Sequence, residues 1–295
     1  MKQTIYLVEI AGKDSYYALQ STAKQLYISE EDLKDICILP VPLITPVEYA
    51  PPIFDKGNKP LYDIEFIEDI NNALKIFGIN NSTFADYLIN GYKGFLATSE
   101  SFPIKDLMRK LWFKMCMPTK ESIELLGYTF PCIGCHLWCH VSRLISLLIF
   151  LKTYTFIEPY ANIILVTGER VHHEDTIKAN QTKTVLGMYD KIICELFNDN
   201  KNENLYKPNS ILTLRPVEDV RDQGEIDFSF DIMRNIISKD GVVCKKNLPT
   251  CDIGNIYKED KGRADILPTE DKVNTVKNYY IELIEDVLDS LYLLY

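Results

Sequence analysis

The sequence predicts an α/β protein built on a doubly wound, mostly parallel sheet. Runs rich in β-branched and aromatic residues alternate with segments of helical periodicity, which is the pattern of βαβ units. The predicted strands are residues 3–10, 35–43, 162–167 and 210–214. Strands that are covered on both faces are apolar along most of their length, and the second run, residues 35–43, is hydrophobic enough to sit inside a parallel sheet.

The second of these runs contains Pro40 and Pro42. Proline has no N–H to donate to a neighbouring strand, so the two residues predict that this strand ends early. Helical periodicity predicts connecting helices over about residues 14–26 and 183–197. Between the second and third strands, residues 64–128 alternate helical patterns with polar turns, which predicts a helical insertion.

The last segment, residues 269–295, carries apolar residues at helical spacing. We expect a C-terminal helix that docks on the core or on a second copy of the chain. The predicted organisation is a main domain over residues 1–262, which includes the insertion, and a C-terminal helical segment over residues 263–295.

Composition narrows the class of function. The chain has 295 residues, 25% of them charged, and a formal net charge of −10, which argues against a protein that wraps nucleic acid. The first residues lack the pattern of an export signal, and the longest apolar run, Leu144–Leu151, is shorter than a membrane span. We therefore expect a cytoplasmic protein without membrane contact, and reduced cysteines.

The stretch EIAGKDS, from Glu9 to Ser15, follows the first predicted strand and opens the first predicted helix. A helix N-terminus directs free backbone N–H groups at an anion, and Gly12 lets the backbone approach such a ligand closely. An ordinary turn with Asp14 as the helix N-cap explains the stretch equally well. The residues alone leave both interpretations open.

The stretch PCIGCHLWCHVSR, from Pro131 to Arg143, groups three of the eight cysteines. Cys132 and Cys135 have the spacing of a metal-binding pair, and Cys139 lies one helical turn further on. Cys244 or Cys251 could complete such a site. The alternative is that these are small buried residues of an apolar helix.

Two further polar segments follow predicted strands, where α/β proteins bind ligands. The residues after the third strand are Gly168, Glu169, Arg170, His172, His173, Asp175, Lys178 and Asn180. This segment is either part of a site or a solvated loop. After the fourth strand, Arg215 has a side chain that can hold a phosphate or a carboxylate in a fork geometry.

Together the four segments resemble the PP-loop ATP pyrophosphatase superfamily over about residues 1–257. The closest likeness is to its thiolating branch with a PCxxC motif, which includes the tRNA thiouridine synthetases. Gly12, Asp14 and Ser15 match the first loop of that branch, whereas Ile10 and Ala11 replace its first two residues. The resemblance implies a HUP-like domain.

The resemblance also implies an activity, in which ATP and Mg²⁺ adenylate a carbonyl oxygen of the substrate and sulfur then displaces AMP. It assigns Cys132, Cys135 and Asp14 to catalysis, and the ATP contacts to Ile10, Ala11, Gly12, Lys13, Asp14, Ser15, Gly168, Glu169 and Arg170. The expected contacts to substrate or phosphate are His172, His173, Asp175, Lys178, Asn180 and Arg215. A [4Fe–4S] cluster would be held by Cys132, Cys135 and Cys251, with Cys139 and Cys244 as alternates for the third ligand.

The acceptor implied is a nucleobase-like small molecule or a tRNA base, and the sulfur donor is a cysteine desulfurase or sulfide. A homodimer is a further possibility. Two other classes stay open. One is an ATP-dependent amide- or nitrile-forming ligase related to 7-cyano-7-deazaguanine synthase, with its cysteines on a structural Zn²⁺. The other is a non-enzymatic zinc-binding adaptor.

Overall fold

The structure is a computed structural model, and its description covers most of the chain. The described residues are 2–10, 12–29, 33–42, 64–97, 102–116, 120, 124, 130–153, 160–172, 178–198, 202–203, 205–237 and 269–290.

A four-stranded parallel sheet forms the centre of the molecule, and its strand order is β2-β1-β3-β4. The strands are β1 (Thr4–Ile10), β2 (Ile36–Pro42), β3 (Asn162–Val166) and β4 (Ser210–Leu214). The helices are α1 (Lys13–Ile28), α2 (Ile64–Ile76), α3 (Thr83–Ala97), α4 (Phe102–Cys116), α5 (Phe130–Thr153), α6 (Lys183–Phe197), α7 (Gln223–Ile237) and α8 (Glu270–Asp289). The predicted α/β class and parallel sheet are confirmed, and the architecture is compatible with a doubly wound fold.

Strand β2 continues through both of its prolines, so the prediction that it ends early is wrong. Pro40 pairs with Val8 and Pro42 with Ile10 in register with β1. The reason lies on the outer side of the strand, where the Asn80 amide accepts a hydrogen bond from the Ile38 N–H and donates one to the Ile38 carbonyl. Residues 38, 40 and 42 turn their backbone groups to the same side. The two positions that lack an N–H therefore lie on the side away from β1, where β1 needs no donor from them.

Helices cover both faces of the sheet, and apolar side chains of β1 point to each of the two faces. Ile5 and Leu7 point into a core made with α3, α4, α5, α6 and α8, whereas Val8 and Ile10 point into a second core made mainly with α1 and α2. Glu9 has the same parity as Ile5 and Leu7. Its carboxylate is therefore directed to the face that α5 covers.

Helix α5 is the most deeply buried helix of the described chain and is anchored against α4. Gly134 lies so close to α4 that a Cβ on it would meet the Met115 carbonyl oxygen at 1.9 Å. The Trp138 indole donates a hydrogen bond of 2.9 Å to the Met108 carbonyl. Part of α5, Ile133–Thr153, is long and apolar enough to cross a membrane, but 89% of its most apolar 18-residue stretch is buried inside the molecule. Protein therefore surrounds this helix.

The strand order reverses between β1 and β3. From β1 the chain passes through α1, on one face, to β2 on one side of the sheet; from β3 it passes through α6, on the other face, to β4 on the opposite side. In open parallel sheets such a reversal leaves a crevice at the carboxyl ends of the two central strands, which is where ligands bind. Here those ends are Ile10 and Val166.

Candidate functional site

The carboxyl edge of the sheet gathers charged residues from several elements onto the buried face of α5. Glu9 is the penultimate residue of β1, Glu169 follows β3 and Arg215 follows β4. Helix α5 contributes His140 and Arg143, which are buried. Buried charges of both signs in one place require close pairing, because an isolated ion in an apolar interior is very costly.

His140 links two carboxylates. Its Nδ1 lies 2.8 Å from Glu9 Oε1 and 2.9 Å from Glu9 Oε2, and its Nε2 lies 3.0 Å from Glu169 Oε1. The imidazolium form donates from both ring nitrogens, which this arrangement uses fully. The contacts therefore describe a charged histidine held between two anions.

The second oxygen of Glu169 is bound by two donors. Arg215 Nε donates to Oε2 at 2.5 Å, and the Thr167 hydroxyl donates to the same oxygen at 3.0 Å. The far side of the Arg215 guanidinium binds both oxygens of Asp190 at 2.7 Å. Arg215 thus joins the buried Glu169, 2% exposed, to Asp190, which is 42% exposed on α6.

Arg143 fixes the other end of the network. Its Nη1 lies 3.4 Å from Glu9 Oε1 and donates to the Cys139 carbonyl at 3.1 Å. Its Nε donates to the Val41 carbonyl at 3.2 Å, near the end of β2. All four strand ends are therefore represented in one connected set of polar contacts.

The electrostatics follow from burial and from these pairs. Burial disfavours the charged form of His140, but Glu9 and Glu169 outweigh it and raise the His140 pKa to about 10. Burial tends to raise the pKa of both carboxylates, yet the His140 charge beside each of them, with Arg143 at Glu9, brings the pKa of Glu9 and of Glu169 below its usual value. The network is ionised at neutral pH.

His136 lies one helical turn before His140 and differs from it. Its Nδ1 is buried, lies 3.3 Å from Glu169 Oε1 and has no hydrogen-bond partner. The backbone of Asn180 hydrogen-bonds the ring, and burial lowers the His136 pKa although Glu169 opposes this. The Tyr189 ring meets both imidazoles edge-on, with its centroid 5.9 Å from the His136 ring and 5.5 Å from the His140 ring. His136 is thus a neutral imidazole beside a carboxylate.

Three of these groups could hold a metal ion. One ligand atom each from His136, His140 and Glu169 lies within 4.8 Å of the others. Within the described part of the chain, no set of three such ligands includes a cysteine.

The N-terminus of α1 lies beside the same crevice. Gly12 is its N-cap and Asp14 lies in the first turn. The Ser15 hydroxyl accepts from the Gly12 N–H at 3.0 Å and donates to the Gly12 carbonyl at 2.6 Å. Gly168 packs directly onto this turn, since a Cβ on it would meet the Ser15 nitrogen at 2.5 Å. The buried Arg170 approaches Asp14, with its Nε 3.8 Å from Oδ1.

The remaining sequence-predicted residues have the following places. Lys13 pairs with Asp227 of α7 at 2.7 Å, and His172 lies 3.9 Å from Asp219. Lys178 is exposed, and Asn180 lies in a 3₁₀ turn next to the His136 ring. Ile10 is buried at the end of β1.

The cysteines are only partly described. Cys135 is buried within the larger hydrophobic core, and Cys139 is partly buried against it. Cys132 lies in the first turn of α5, but its side chain is outside the described residues. Five further predicted residues lie wholly outside the described residues: Ala11, His173, Asp175, Cys244 and Cys251. The predicted cysteine cluster therefore stays a prediction.

Sequence reasoning missed four residues that the structure brings together: Glu9, His136, His140 and Arg143. Two signals could have found them. Glu9 is an acid inside an apolar strand, and the two histidines of α5, half of all histidines in the chain, are spaced by four residues. The interpretation of this helix as a cysteine site left the two histidines, with Cys139 between them, without a role.

Comparison with known proteins gives little further information. No protein-family model matches the chain, and no solved structure matches it significantly. The chain is similar to an uncharacterized protein of Methanocaldococcus jannaschii, with 30% identity over 132 residues. The match covers 41% of this chain and 40% of the relative.

Proposed function

We propose that the protein is an ATP-dependent enzyme of the PP-loop kind that activates a carbonyl oxygen of a nucleobase-like substrate or tRNA base as its adenylate. The observation that carries the proposal is the meeting of the Gly12-led N-terminus of α1 with Gly168 and Arg170 at the reversal of strand order. A helix N-terminus and a neighbouring guanidinium both favour a phosphate group.

The proposed chemistry begins at the α-phosphorus of ATP. The substrate oxygen attacks this phosphorus, the bond to the bridging oxygen breaks, and pyrophosphate leaves with Mg²⁺. The backbone N–H groups at the start of α1 and the charge of Arg170 would stabilise the negative charge on the phosphates. Adenylation turns a poor leaving oxygen into AMP, so that a second nucleophile can displace it.

Sulfur is the proposed second nucleophile, delivered through Cys132 and Cys135 at the start of α5. A cysteine desulfurase would supply it as a persulfide on one of these cysteines, and the other thiol would release it by forming a disulfide, which an added thiol reduces. Sulfide needs no change of oxidation state and would be bound by the cluster that these cysteines would hold. The burial of Cys135 within the hydrophobic core favours one other candidate, an ATP-dependent ligase that uses ammonia. Both candidates share the adenylation step and differ in the displacing atom.

The test measures pyrophosphate release from Mg·ATP in the presence of nucleobases and either sulfide or ammonium. We expect the wild-type protein to release pyrophosphate, and Gly168→Ala to weaken ATP binding by about tenfold or more, because its Cβ displaces the start of α1. Gly94→Ala is the matched control, since nothing lies within 4 Å of that Cβ.

The products separate the two candidates. A thiolated product that Cys132→Ala abolishes supports sulfur transfer, while an aminated product supports the ligase. Absence of both ATP binding and pyrophosphate release from the folded wild-type protein contradicts the proposed function and favours the adaptor class.

A further inference from the structure

We propose that His136, His140 and Glu169 form a binding site for a divalent transition-metal ion, Zn²⁺ or Fe²⁺. The proposal concerns imidazole and carboxylate ligands, in contrast to the cysteine site that the sequence predicts. It does not rest on the proposed function, because the geometry of these three side chains stands without any nucleotide.

The arrangement of the ligands along the chain is the first support. His136 and His140 are four residues apart on α5, which puts both rings on one face of the helix. Two histidines with this spacing and one carboxylate from a separate element make up a zinc site in metalloproteases. Two histidines and one carboxylate are also the ligands of mononuclear Fe²⁺ sites. Glu169 supplies the carboxylate from the segment after β3.

Two of the three distances between the ligand atoms are those that a metal needs. Bonds of about 2.0–2.2 Å to nitrogen and oxygen, at angles between 90° and tetrahedral, separate neighbouring ligand atoms by about 3.0–3.4 Å. Glu169 Oε1 lies 3.0 Å from His140 Nε2 and 3.3 Å from His136 Nδ1. The two histidine nitrogens lie within 4.8 Å of each other, so they would close in on a shared ion if they are farther apart than this range. The ion replaces the hydrogen of the His140–Glu169 bond, which is released as a proton.

Partners outside the ligand set hold each ligand in place. Glu9 binds His140 Nδ1, and the Asn180 backbone binds the His136 ring, so each imidazole keeps one nitrogen for the metal. Thr167 and Arg215 occupy Glu169 Oε2 and leave Oε1 directed at the histidines. Supporting hydrogen bonds of this kind orient the ligands of metal sites and raise the affinity.

A structural ion-pair network is the competing explanation, and it leaves one atom unexplained. Pairing accounts for His140 with its two carboxylates and for Arg215. It does not account for His136 Nδ1, which is buried without a hydrogen-bond partner at a cost of about 1–3 kcal/mol. A bound ion satisfies that nitrogen together with the two other ligand atoms.

The ligand chemistry selects the ion. Imidazole disfavours Mg²⁺ and Ca²⁺, which prefer oxygen ligands, and the absence of thiolate from the described ligand set disfavours an iron–sulfur cluster at this position. Three protein ligands leave at least one coordination position open, as catalytic sites do. That position can take a water molecule or a substrate oxygen.

The test uses tag-free full-length protein, freed of metal with a chelator and titrated with Co²⁺ as a spectroscopic substitute for Zn²⁺. We expect one Co²⁺ per chain with visible d–d bands, displaced by Zn²⁺. His136→Gln should weaken binding by about tenfold or more. It should fold because Nδ1 has no hydrogen-bond partner to lose and the glutamine amide can replace the ring as the partner of the Asn180 backbone. Asp219→Asn, which changes an exposed carboxylate paired with Lys183, should bind like the wild type.

Three results would overturn the proposal. The first is a wild-type protein, folded by circular dichroism, that binds neither Co²⁺ nor Zn²⁺ stoichiometrically. The second is a strong near-ultraviolet sulfur-to-cobalt charge-transfer band, which would place the ion on cysteine thiolates. The third is unchanged affinity in His136→Gln. A failed ATP assay would leave all three measurements meaningful, so the two proposals can fail separately.

Discussion

At the scale of residues, the carboxyl edge of the sheet is organised by charge balance. Three acids and three bases meet there, and each has at least one partner of opposite charge. Such networks are sensitive to the loss of one member, because the remaining charges stay buried without compensation. The acids are Glu9, Glu169 and Asp190, and the bases are His140, Arg143 and Arg215.

Glu169→Gln removes one charge from this network without changing its size. We expect the free energy of unfolding to fall by about 3–5 kcal/mol, because His140 and Arg215 lose their common carboxylate. Urea denaturation followed by circular dichroism measures the change. Asp219→Asn is the control, since its pair with Lys183 is exposed and should contribute less than about 1 kcal/mol. Equal free energies of unfolding for the two variants would show that the buried network stabilises the fold no more than an exposed ion pair does.

The sequence predicted part of this site and missed the rest for a physical reason. Glu169 and Arg215 could be predicted because polar residues after apolar strands signal the ligand edge of a parallel sheet. Their pairing with each other could not, because it depends on β3 and β4 being neighbours. Glu9 and His140 are 131 residues apart, and no local pattern reports a contact over that separation.

At the scale of elements, two glycines allow one backbone to touch another. Gly168 lets the segment after β3 reach the first turn of α1, and Gly134 lets α5 reach the end of α4. Gly134 lies between Cys132 and Cys135. The PCIGC stretch therefore serves the packing of α5 against α4, whatever chemistry its cysteines perform.

Gly134→Ala tests this helix contact. The new methyl group would overlap the Met115 carbonyl, so we expect a loss of about 1–3 kcal/mol in the free energy of unfolding. Gly94→Ala is matched to it, since Gly94 also lies inside a helix but has open space around it. That variant should gain about 0.5–1 kcal/mol from helix propensity. A gain in both variants would mean that α4 and α5 can separate freely.

The elements themselves were predicted well where local patterns decide them. The four strands and the helices over residues 183–197 and 270–289 follow from apolar periodicity. The effect of the two prolines on β2 could not be predicted from the local pattern, because it depends on which side of the strand they face. The prolines face the same side as the Ile38 backbone, which Asn80 binds from 42 residues away.

At the scale of the whole molecule, α8 belongs to the same core as the sheet. Its buried residues pack in one hydrophobic cluster with β1, β3 and helices α3 to α6. Asn202 donates a hydrogen bond of 3.0 Å to the Leu288 carbonyl near the end of α8. The C-terminal helix therefore contributes directly to the stability of the main core.

Ile284→Ala should lower the free energy of unfolding by about 2–5 kcal/mol, because Ile284 is fully buried. We expect one cooperative transition when fluorescence and circular dichroism are compared in urea. Glu285→Ala, at the exposed neighbouring position, should change stability by less than about 0.5 kcal/mol. A separate early transition in Ile284→Ala would indicate that α8 unfolds independently of the sheet.

The charged edge also has a consequence for the order of folding. The contacts of Glu169 with His140 and Arg215 span 29 and 46 residues, and the bond from Arg143 to the Val41 carbonyl spans 102. None of these charged side chains can lose its hydrating water at low cost before the elements that carry its partners have come together. The apolar amino-terminal half of the sheet can collapse without this constraint. We therefore expect the strands to pair first in that half. The charged contacts at the carboxyl edge, and any site built on them, should form last.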